Sequence, residues 1–220
     1  MLVDKNNYSI DPFLKSYLLI SNSGKRFERF AHLRYAISKI SIKGSVLEFG
    51  VWTARTTNLI AELLPNNTVY GFDSFEGLPE DWAIYKRELD GTEPVKCTKG
   101  YFKSRGLPQV RDNVELVKGF FDSSLNPWIA KHPDVDPIKF LHIDSDLYSS
   151  AKFVLTALNK YIIPGTIIVF DEFYPFKRKG YDTWPEHEYK ALYEWTSENN
   201  RVFEPISHSQ HQQTAIKMVQ

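Results

Sequence analysis

Two short apolar segments that end in carboxylates constrain this sequence more than any other feature. The first, Ile138 to Asp146, reads IKFLHIDSD, and the second, Thr166 to Glu172, reads TIIVFDE. Segments that are apolar at nearly every position are typical of strands buried on both faces, as in a parallel sheet covered by helices. Such sheets place their chemistry beyond the carboxyl ends of the strands, so we expect the working site there. Several carboxylates on one edge repel one another unless a cation, a proton or a cationic substrate lies among them.

Length, charge and cysteine content exclude several classes of protein. With 220 residues, 42% of them hydrophobic, the chain is large enough for one substantial core and small for two, so we expect a single domain over 1–220. Lys plus Arg (27) balance Asp plus Glu (27), so no basic field indicates a nucleic-acid partner. No apolar run approaches the length that spans a bilayer, and the one cysteine, Cys97, is compatible with a reducing cytosol. We therefore expect a cytoplasmic protein that acts neither on nucleic acid nor at a membrane.

The N-terminal segment, 1–44, is predicted to be helical. Between residues 25 and 41 the apolar residues recur at intervals of three and four, which is the pattern of one buried helix face. The arginines of this stretch, Arg26, Arg29 and Arg34, are expected to lie on its solvated face.

The stretch 45–63 has the pattern of a strand, a tight turn and a helix. SVLEFG is an apolar strand that contains Glu48 and closes in Gly50, and the amphipathic sequence VWTARTTNLIAELLP follows it. The free amides and the dipole of a helix N-terminus at such a turn form a natural seat for part of a cofactor. Because the turn lacks the G-x-G-x-x-G pattern, the sequence argues against a dinucleotide cofactor and against a nicotinamide oxidoreductase.

The next predicted strand, TVYGFD, ends at Asp73. An acidic residue at this strand tip commonly accepts hydrogen bonds from the two hydroxyls of a ribose, which makes an adenosine-bearing ligand one interpretation. The other interpretation is that Asp73 only caps the turn that follows. The strand-tip position alone does not decide between them.

Residues 83–109 are the least strand-like part of the sequence. They contain several glycines, prolines and charges without a clear period, and they separate the second predicted strand from the third. A segment of this length is more often a lid or a binding loop than a connection without a function. The alternative is a disordered surface loop.

Four strings of this sequence resemble the macrocin O-methyltransferase family of class I S-adenosylmethionine-dependent methyltransferases. They are VLEFGVWTARTTNLIAELL, VYGFDSFEGLPEDW, NVELVKGFFDSSL and FLHIDSDLYSSAKFVL. The resemblance implies an α/β, Rossmann-like fold with a mostly parallel seven-stranded sheet, a C-terminal antiparallel hairpin and helices on both faces. It also implies an O-methyltransferase that uses S-adenosylmethionine and acts on a sugar hydroxyl of a small molecule. Relatives often assemble into dimers or larger forms, so a homo-oligomer is a further expectation.

The resemblance also implies which residues contact the cofactor. In the family the turn after the third strand, 113–118, lies by the adenine, so Phe120 or Phe121 could contact the base while Asp122, interpreted as an acidic N-cap, fixes the turn. One of the two phenylalanines is expected to be a core residue instead. Ala54 stands where relatives generally carry glycine, a difference expected to matter only at a positive φ. The residues assigned to the cofactor are Glu48, Gly50, Thr56, Asp73, Ser74, Phe120, Phe121, Asp122 and Asp144.

Asp144, Asp171 and Glu172 are the predicted metal ligands. A divalent cation would acidify and orient the acceptor hydroxyl, and oxygen ligands suit a hard cation such as Mg²⁺. The family places acidic metal-binding residues at these points, and the resemblance implies the same three positions here. Relatives usually carry two aspartates where this chain has Asp171 and Glu172, which leaves the third ligand open.

Asp144 and Asp146 are the predicted catalytic residues. Asp144 is expected to be the base, as the group nearest to a metal-bound hydroxyl. Asp146 has three interpretations: a base, a group that supports the metal ligands, and the cap of the helix that starts near Leu147. Capping ranks first.

The histidines of the C-terminal half are expected to have lesser roles. His142 is interpreted as a paired core histidine, and His187 and Glu188 could both reach the acceptor. His208 and His211 lie in SHSQHQQ, which joins the last two predicted strands, RVFEPI and TAIKMV. With no third ligand nearby in the sequence, they are interpreted as polar hairpin residues rather than metal ligands.

Two other functions are compatible with these residues. The first is a metal-independent methyltransferase in which the acidic cluster holds a cationic or polyhydroxylated acceptor. The second is a nonenzymatic domain that keeps the scaffold for binding. The acceptor is a hydroxylated small molecule in the favoured interpretation, and its identity is left open.

Overall fold

The computed structural model describes residues 25–85, 95–133, 137–174 and 183–220 and, within them, every side chain except those of 25–27, 85 and 95. Seven strands of this part form one sheet: β1 (Ser45–Phe49), β2 (Val69–Asp73), β5 (Val114–Lys118), β6 (Ile138–Ile143), β7 (Ile162–Phe170), β8 (Phe203–His208) and β9 (Thr214–Met218). Two more strands, β3 (Trp82–Tyr85) and β4 (Val95–Cys97), form a separate antiparallel ribbon.

The strand order in the sheet is β5-β2-β1-β6-β7-β9-β8. The first five strands are parallel, while β9 runs antiparallel to both β7 and β8. The predicted mostly parallel seven-stranded sheet with a C-terminal antiparallel hairpin is therefore confirmed.

Helices cover both faces of this sheet. They are α1 (Lys25–Ile37), α2 (Arg55–Leu63), α3 (Phe121–Lys131), α4 (Tyr148–Ala157) and α5 (Glu188–Glu198). Within the described ranges, no helix is both long enough and apolar enough to cross a bilayer.

Alternate strand residues pack against two different helix layers, because successive side chains of a strand point to opposite faces. Leu47 and Leu141 share a buried cluster with residues of α3, α4 and α5, whereas Val46 and Phe140 share one with residues of α1 and α2. The apolar runs of the central strands thus reflect burial on both sides, as the sequence predicted.

β7 begins at Ile162 rather than at Thr166. Pro164 and Gly165, which precede the apolar run of the sequence, therefore lie inside the strand. The register of β7 against β6 shifts in this region. An irregular strand position of this kind tolerates proline and glycine, which explains why the strand continues through them.

The C-terminal hairpin has shifted bounds. β8 spans Phe203–His208 instead of 201–206, so His208 belongs to the strand and not to the connection. His208 is fully buried, with its Nδ1 2.8 Å from the Thr214 hydroxyl, and His211 pairs with Glu28 at 3.1 Å. Both histidines serve the packing of the hairpin, and the described candidate metal ligands do not include them.

The predicted insertion contains more strand than expected. In the ribbon, β3 pairs with β4, with Trp82 opposite Cys97 and Ala83 opposite Lys96. Residues 86–94, in the middle of that segment, and residues 1–24, in the predicted N-terminal helical segment, lie outside the described residues.

The strand order reverses between β1 and β6, and the two strand ends meet closely there. The backbone N–H of Asp144 donates to the carbonyl of Phe49 at 2.8 Å. Gly50 has a φ of 99°, and a Cβ at this position would lie 1.8 Å from the carbonyl oxygen of Asp144. Only glycine allows this approach, which opens a crevice at the point where ligands of open α/β sheets bind.

Candidate active site

A cavity of about 780 Å³ lies beyond the carboxyl ends of β1, β2, β5, β6 and β7. Its size is within the range of small-molecule sites. The lining includes most of the residues that the sequence assigned to the site, namely Gly50, Asp73, Ser74, Phe120, Phe121, Asp122, Asp144, Asp146, Asp171 and Glu172. The structure therefore brings the predicted cofactor and acidic residues together in one cavity.

Asp73 is held by backbone donors of two turns. Its Oδ2 accepts the N–H groups of Val51 at 2.9 Å and Trp52 at 2.7 Å, and its Oδ1 accepts the N–H of Phe75 at 2.7 Å. The turn-capping interpretation of Asp73 is thus confirmed. A carboxylate has about four lone-pair sites, so one direction on Oδ1 is left for a ligand. The contact with ribose hydroxyls stays a prediction.

Phe120 and Phe121 occupy different environments at the tip of β5. Phe120 is 37% exposed and precedes α3 as its N-cap residue, whereas the ring of Phe121 packs edge-on against Phe49 at 5.1 Å. The expectation that one of the two rings belongs to the core agrees with this arrangement. Asp122 lies in the first turn of α3 and is not the N-cap, which corrects the sequence interpretation. Its carboxylate still lines the cavity near the positive end of the helix.

Two residues assigned to the cofactor lie behind the cavity wall. Thr56 is buried in α2, and the fully buried Glu48 pairs through Oε1 with Nδ1 of His142 at 2.8 Å. The interpretation of His142 as a paired core histidine is confirmed. Burial disfavours its charge, but the carboxylates of Asp171 and Glu48 outweigh burial and raise the pKa of His142 to about 10. A direct cofactor contact of Glu48 or Thr56 stays a prediction.

The turn between β1 and α2 contains non-glycine residues with a positive φ. Ala54 has a φ of 56° and Trp52 a φ of 44°. Ala54 therefore has the positive φ at which a difference from the glycine of relatives was expected to matter. A left-handed conformation costs a residue with a Cβ about 1–2 kcal/mol. The buried methyl of Ala54 packs with Val51 and Phe75, which offsets part of that cost.

Four carboxylates follow β6 and β7 directly, and their environments shift their pKa values in different directions. Burial raises the pKa of Asp144 to about 7, although Arg29 opposes the shift. Burial and neighbouring carboxylates raise the pKa of Asp146 and Glu172 well above the ordinary range. For Asp171, Arg29 and His142 outweigh burial and hold the pKa below its ordinary value. Asp146 and Glu172 therefore take up a proton more readily than Asp171 does.

Arg29 of α1 lies between two of these carboxylates. Its Nη2 contacts Oδ2 of Asp144, and its Nε lies 2.8 Å from Oδ1 of Asp171. The expectation that Arg29 is part of a solvated face was wrong, while for Arg34, which is half exposed and pairs with Glu62, it is confirmed. The side chain of Arg26 lies outside the described residues.

Glu188 joins the two acidic strand ends. It is fully buried at the start of α5, and its carboxylate accepts the backbone N–H of Ser145 at 3.1 Å and that of Glu172 at 3.0 Å. Burial raises the pKa of Glu188 to about 8 in spite of these donors. The residue holds the loops after β6 and β7 in a fixed relation.

Asp146 is not the cap of α4. The N-cap residue is Leu147, which makes no side-chain cap hydrogen bond. Asp146 has a φ of 62° and is only 9% exposed, facing the cavity among the other acidic residues. Capping, the first-ranked interpretation, was wrong, whereas a catalytic or supporting role stays a prediction. His187 donates its Nε2–H to the carbonyl of Ala83 in β3 at 3.1 Å and is not among the residues that line the cavity.

Two of the three residues predicted to hold Mg²⁺, Asp144 and Asp171, are paired with Arg29 in this arrangement. Candidate ligand atoms of His142, Asp144 and Asp171 lie within 4.8 Å of one another. The guanidinium of Arg29, however, lies against both of the aspartates, and a protonated His142 has no lone pair for a metal. The metal set of Asp144, Asp171 and Glu172 stays a prediction against which Arg29 argues.

Sequence reasoning missed Arg29 and the bridging role of Glu188. A signal for Arg29 was present, because Leu33 and Ala36 follow it at helical spacing and both are fully buried. Glu188 was placed near the acceptor, and no sequence pattern indicated that it binds the backbone of two strand ends.

A family model described as macrocin O-methyltransferase (TylF) matches residues 16–191, well over half of the chain. A tetracenomycin-type 4'-O-methyltransferase of Streptomyces olivaceus, which acts on a rhamnosyl group by its name, is 24% identical over 164 residues, 66% of this chain and 60% of its own length. The chain thus spans about 60% of the length of the curated relatives it matches.

Solved structures share the fold at low sequence identity. The calicheamicin methyltransferase CalS11, described as a TDP-rhamnose 3'-O-methyltransferase, is similar with a TM-score of 0.59 at 18% identity, over 96% of this chain and 98% of its own. The mycinamycin methyltransferase MycE, in complex with Mg and SAH, is similar with a TM-score of 0.53 at 11% identity, over 91% of this chain and 51% of its own.

Proposed function

The chain belongs to the macrocin O-methyltransferase family, and from that premise we propose that it transfers the methyl group of S-adenosylmethionine to a hydroxyl of a sugar-bearing small molecule. One observation carries the proposal: Asp73 and Asp144 line a single cavity at the β1–β6 crevice. Of these two, Asp73 stands where an adenosine would bind, and Asp144 stands where a proton could be accepted.

The ends of β1, β2 and β5 are suited to hold the cofactor. Gly50 opens the crevice, Asp73 keeps one acceptor site, and the exposed ring of Phe120 offers a flat apolar surface at the cavity wall. When bound, the cofactor supplies an electrophilic methyl group on a sulfonium. The chain contributes a fixed seat that aligns that methyl with the acceptor, since an in-line displacement depends on orientation.

We assign the role of base to Asp144. Arg29 engages Oδ2 of Asp144, and Oδ1 is not used by that ion pair, so Oδ1 can accept the proton of the acceptor hydroxyl. A pKa of about 7 is well matched to a base that works near neutral pH. Asp146 lies beside it and is the second candidate for a catalytic contact.

Three neighbouring aromatic side chains of the cavity lining, two of them about half exposed, fit the apolar face of a sugar or of a ring system. Trp52 and Tyr101 are 47% and 51% exposed, and Phe102 lies between them, with ring centroids at 5.2 Å from Trp52 and 4.6 Å from Tyr101. All three line the cavity, together with Trp82 and Ile84 of the ribbon. This supports the proposal that residues 83, 84 and 96–109 cover the acceptor.

Two forms of the reaction are compatible with the family. Oxygen donors at the ends of β6 and β7, and the magnesium in the MycE complex, support a Mg²⁺-assisted form. The ion pairs of Arg29 with Asp144 and Asp171 favour the form without a metal. In either form, residues Asp144 and Asp171 act on the acceptor side of the cavity.

Calorimetry with S-adenosylhomocysteine, followed by product analysis, tests the proposal. The protein is expected to bind this product and to methylate a rhamnosylated tetracenomycin or TDP-rhamnose, detected by mass spectrometry, but not the sugar-free aglycone. Absence of binding would refute a methyltransferase. A protein that binds S-adenosylhomocysteine but methylates none of the sugar acceptors would point to a nonenzymatic domain on this scaffold. In that case Asp144→Asn should leave the binding of S-adenosylhomocysteine unchanged.

A further inference from the structure

We propose that the guanidinium of Arg29 occupies the place of a divalent cation in this site and makes methyl transfer independent of a metal. The inference rests on the proposed function, whose substrate side it specifies. The carboxyl ends of β6 and β7 need a cation, because Asp144 and Asp171 approach each other at the ends of these adjacent parallel strands.

The contacts of Arg29 are those of a bridging cation. Two different nitrogens of one planar group reach two different carboxylates, Nη2 towards Asp144 and Nε towards Asp171 at 2.8 Å. The Asp171 side chain is 4% exposed and that of Asp144 21%, so these charges are largely removed from water. Each loses solvation, which a close opposite charge helps to replace. Arginine suits this role, since the guanidinium remains charged and directs several donors at once.

Helix α1 is anchored on both sides of Arg29. The preceding residue, Glu28, is 2% exposed, accepts the backbone N–H of Gln210 and pairs with His211 at 3.1 Å. One turn later, the fully buried His32 contacts the carbonyl of Ser207 at 3.2 Å. Both anchors belong to the C-terminal hairpin. The hairpin therefore fixes the turn of α1 from which Arg29 extends into the cavity.

This placement defines what Arg29 does in the proposed reaction. It neutralises Asp171, and it holds Asp144 by Oδ2 so that Oδ1 can face an acceptor hydroxyl. A metal would lie close enough to acidify that hydroxyl, whereas a guanidinium orients and balances charge without a coordination bond. Arg29 is thus a positioning residue, and the proton is taken by Asp144 alone.

An ion could enter only if Arg29 withdrew. Oxygens that share one octahedral Mg²⁺ lie about 3 to 4 Å apart, a spacing that the carboxylates can reach because their candidate ligand atoms lie within 4.8 Å. Removal of the guanidinium should therefore convert a pair of compensated carboxylates into a weak Mg²⁺ site.

The experiment compares Mg²⁺ binding to wild type, Arg29→Met and Arg29→Lys by calorimetry, with Mg²⁺ alone as the titrant. Wild type is expected to show no saturable binding at millimolar Mg²⁺ and to keep its methyl transfer in a chelator. Arg29→Met should bind Mg²⁺ at least about tenfold more tightly than wild type, since both carboxylates then lack the guanidinium and Asp171 keeps only His142, 3.9 Å from its Oδ1. Arg29→Lys, which keeps the charge, should resemble wild type. Arg34→Met, on the exposed side of the same helix, is the matched control and should change neither property.

Saturable Mg²⁺ binding to wild type together with loss of transfer in the chelator would overturn the inference. So would an Arg29→Met protein that folds, as judged by circular dichroism, but binds no more Mg²⁺ than wild type. If Arg29→Met does not fold, the wild-type titration and the chelator result still decide. Failure of the proposed function is recognised separately, because it would abolish binding of S-adenosylhomocysteine without affecting the Mg²⁺ titrations.

Discussion

On the β1–β2 side of the cavity, Asp73 is held by three backbone N–H groups of neighbouring turns, whereas on the β6–β7 side Asp144 and Asp171 share one guanidinium from α1. The N–H groups that bond to Asp73 belong to the turns that directly follow β1 and β2. The cation of the acidic side comes from a residue far away in sequence, on a helix that the C-terminal hairpin holds in place.

The two sides of the cavity differ in the groups that stabilise their carboxylates. Backbone donors cannot move or titrate, so the Asp73 side is a rigid seat suited to a cofactor of constant shape. On the acidic side several carboxylates compete for few donors, and their protonation depends on one another. A site of that kind can exchange a proton with a substrate. In the proposed reaction, the first side binds the cofactor and the second carries out the chemistry.

Asp144→Asn should have the largest effect on transfer. The amide keeps the size of the side chain and an oxygen for Arg29, but it cannot take a proton at neutral pH. We expect kcat to fall by about 10²–10⁴-fold, the usual contribution of a general base, with little change in affinity for S-adenosylhomocysteine. Product formation and calorimetry measure the two quantities. Glu62→Gln, an exposed carboxylate on α2, is the matched control. A parallel loss of cofactor affinity would remove the division between the two sides.

Asp73→Asn should mainly weaken cofactor binding. The amide nitrogen cannot accept from Val51, Trp52 or Phe75, so at least one charge-assisted hydrogen bond of the turns is lost. Such a bond contributes about 1.5–3 kcal/mol, which corresponds to an increase of about 10–100-fold in the Kd of S-adenosylhomocysteine. Calorimetry checks this, with the exposed Asp112→Asn as control. An unchanged Kd would mean that Asp73 does not shape the cofactor seat.

The sequence predicted the parts of the site that follow from local patterns. Apolar runs located β1, β2, β5 and β6, and the rule that parallel strands end at one edge placed Asp73, Asp144 and Asp171 in the same cavity. The family resemblance agreed with that placement and supplied the cofactor. These inferences hold because strand direction and burial are determined within a few residues of each carboxylate.

The remaining features depend on contacts between distant segments. Helical periodicity indicates which residues are apolar, but it does not say that Arg29, at the edge of the buried face, reaches two strand ends. Asp146 was interpreted as a cap because it precedes a helix, whereas its backbone φ of 62° turns it into the cavity. The backbone bonds of Glu188 require knowledge of where α5 begins relative to β6 and β7.

The pH dependence of transfer sharpens the same comparison. Asp144 acts as a base only as a carboxylate, and burial raises its pKa to about 7. We therefore expect kcat/KM to fall as pH decreases below about 7, by about tenfold per pH unit, and to level off above it. The Kd of S-adenosylhomocysteine, measured at each pH, separates this effect from cofactor binding. A rate that is flat across the range, or that decreases with rising pH, would exclude Asp144 as the base.

Glu188→Gln should have the smallest effect of the four. One oxygen of Glu188 accepts the N–H of Ser145 and the other that of Glu172, and the amide can replace only one of them. The lost bond costs about 1–3 kcal/mol, which lowers Tm by a few degrees in a chain of this size. We expect kcat to fall less than about tenfold, since a loosened loop displaces Asp144 without removing it. Thermal denaturation and steady-state kinetics measure the two effects. Glu198→Gln, an exposed residue of the same helix that pairs with Lys152, is the control and should shift Tm very little. A fall in kcat as large as that of Asp144→Asn would mean that Glu188 takes part in the chemistry rather than in holding the two strand ends.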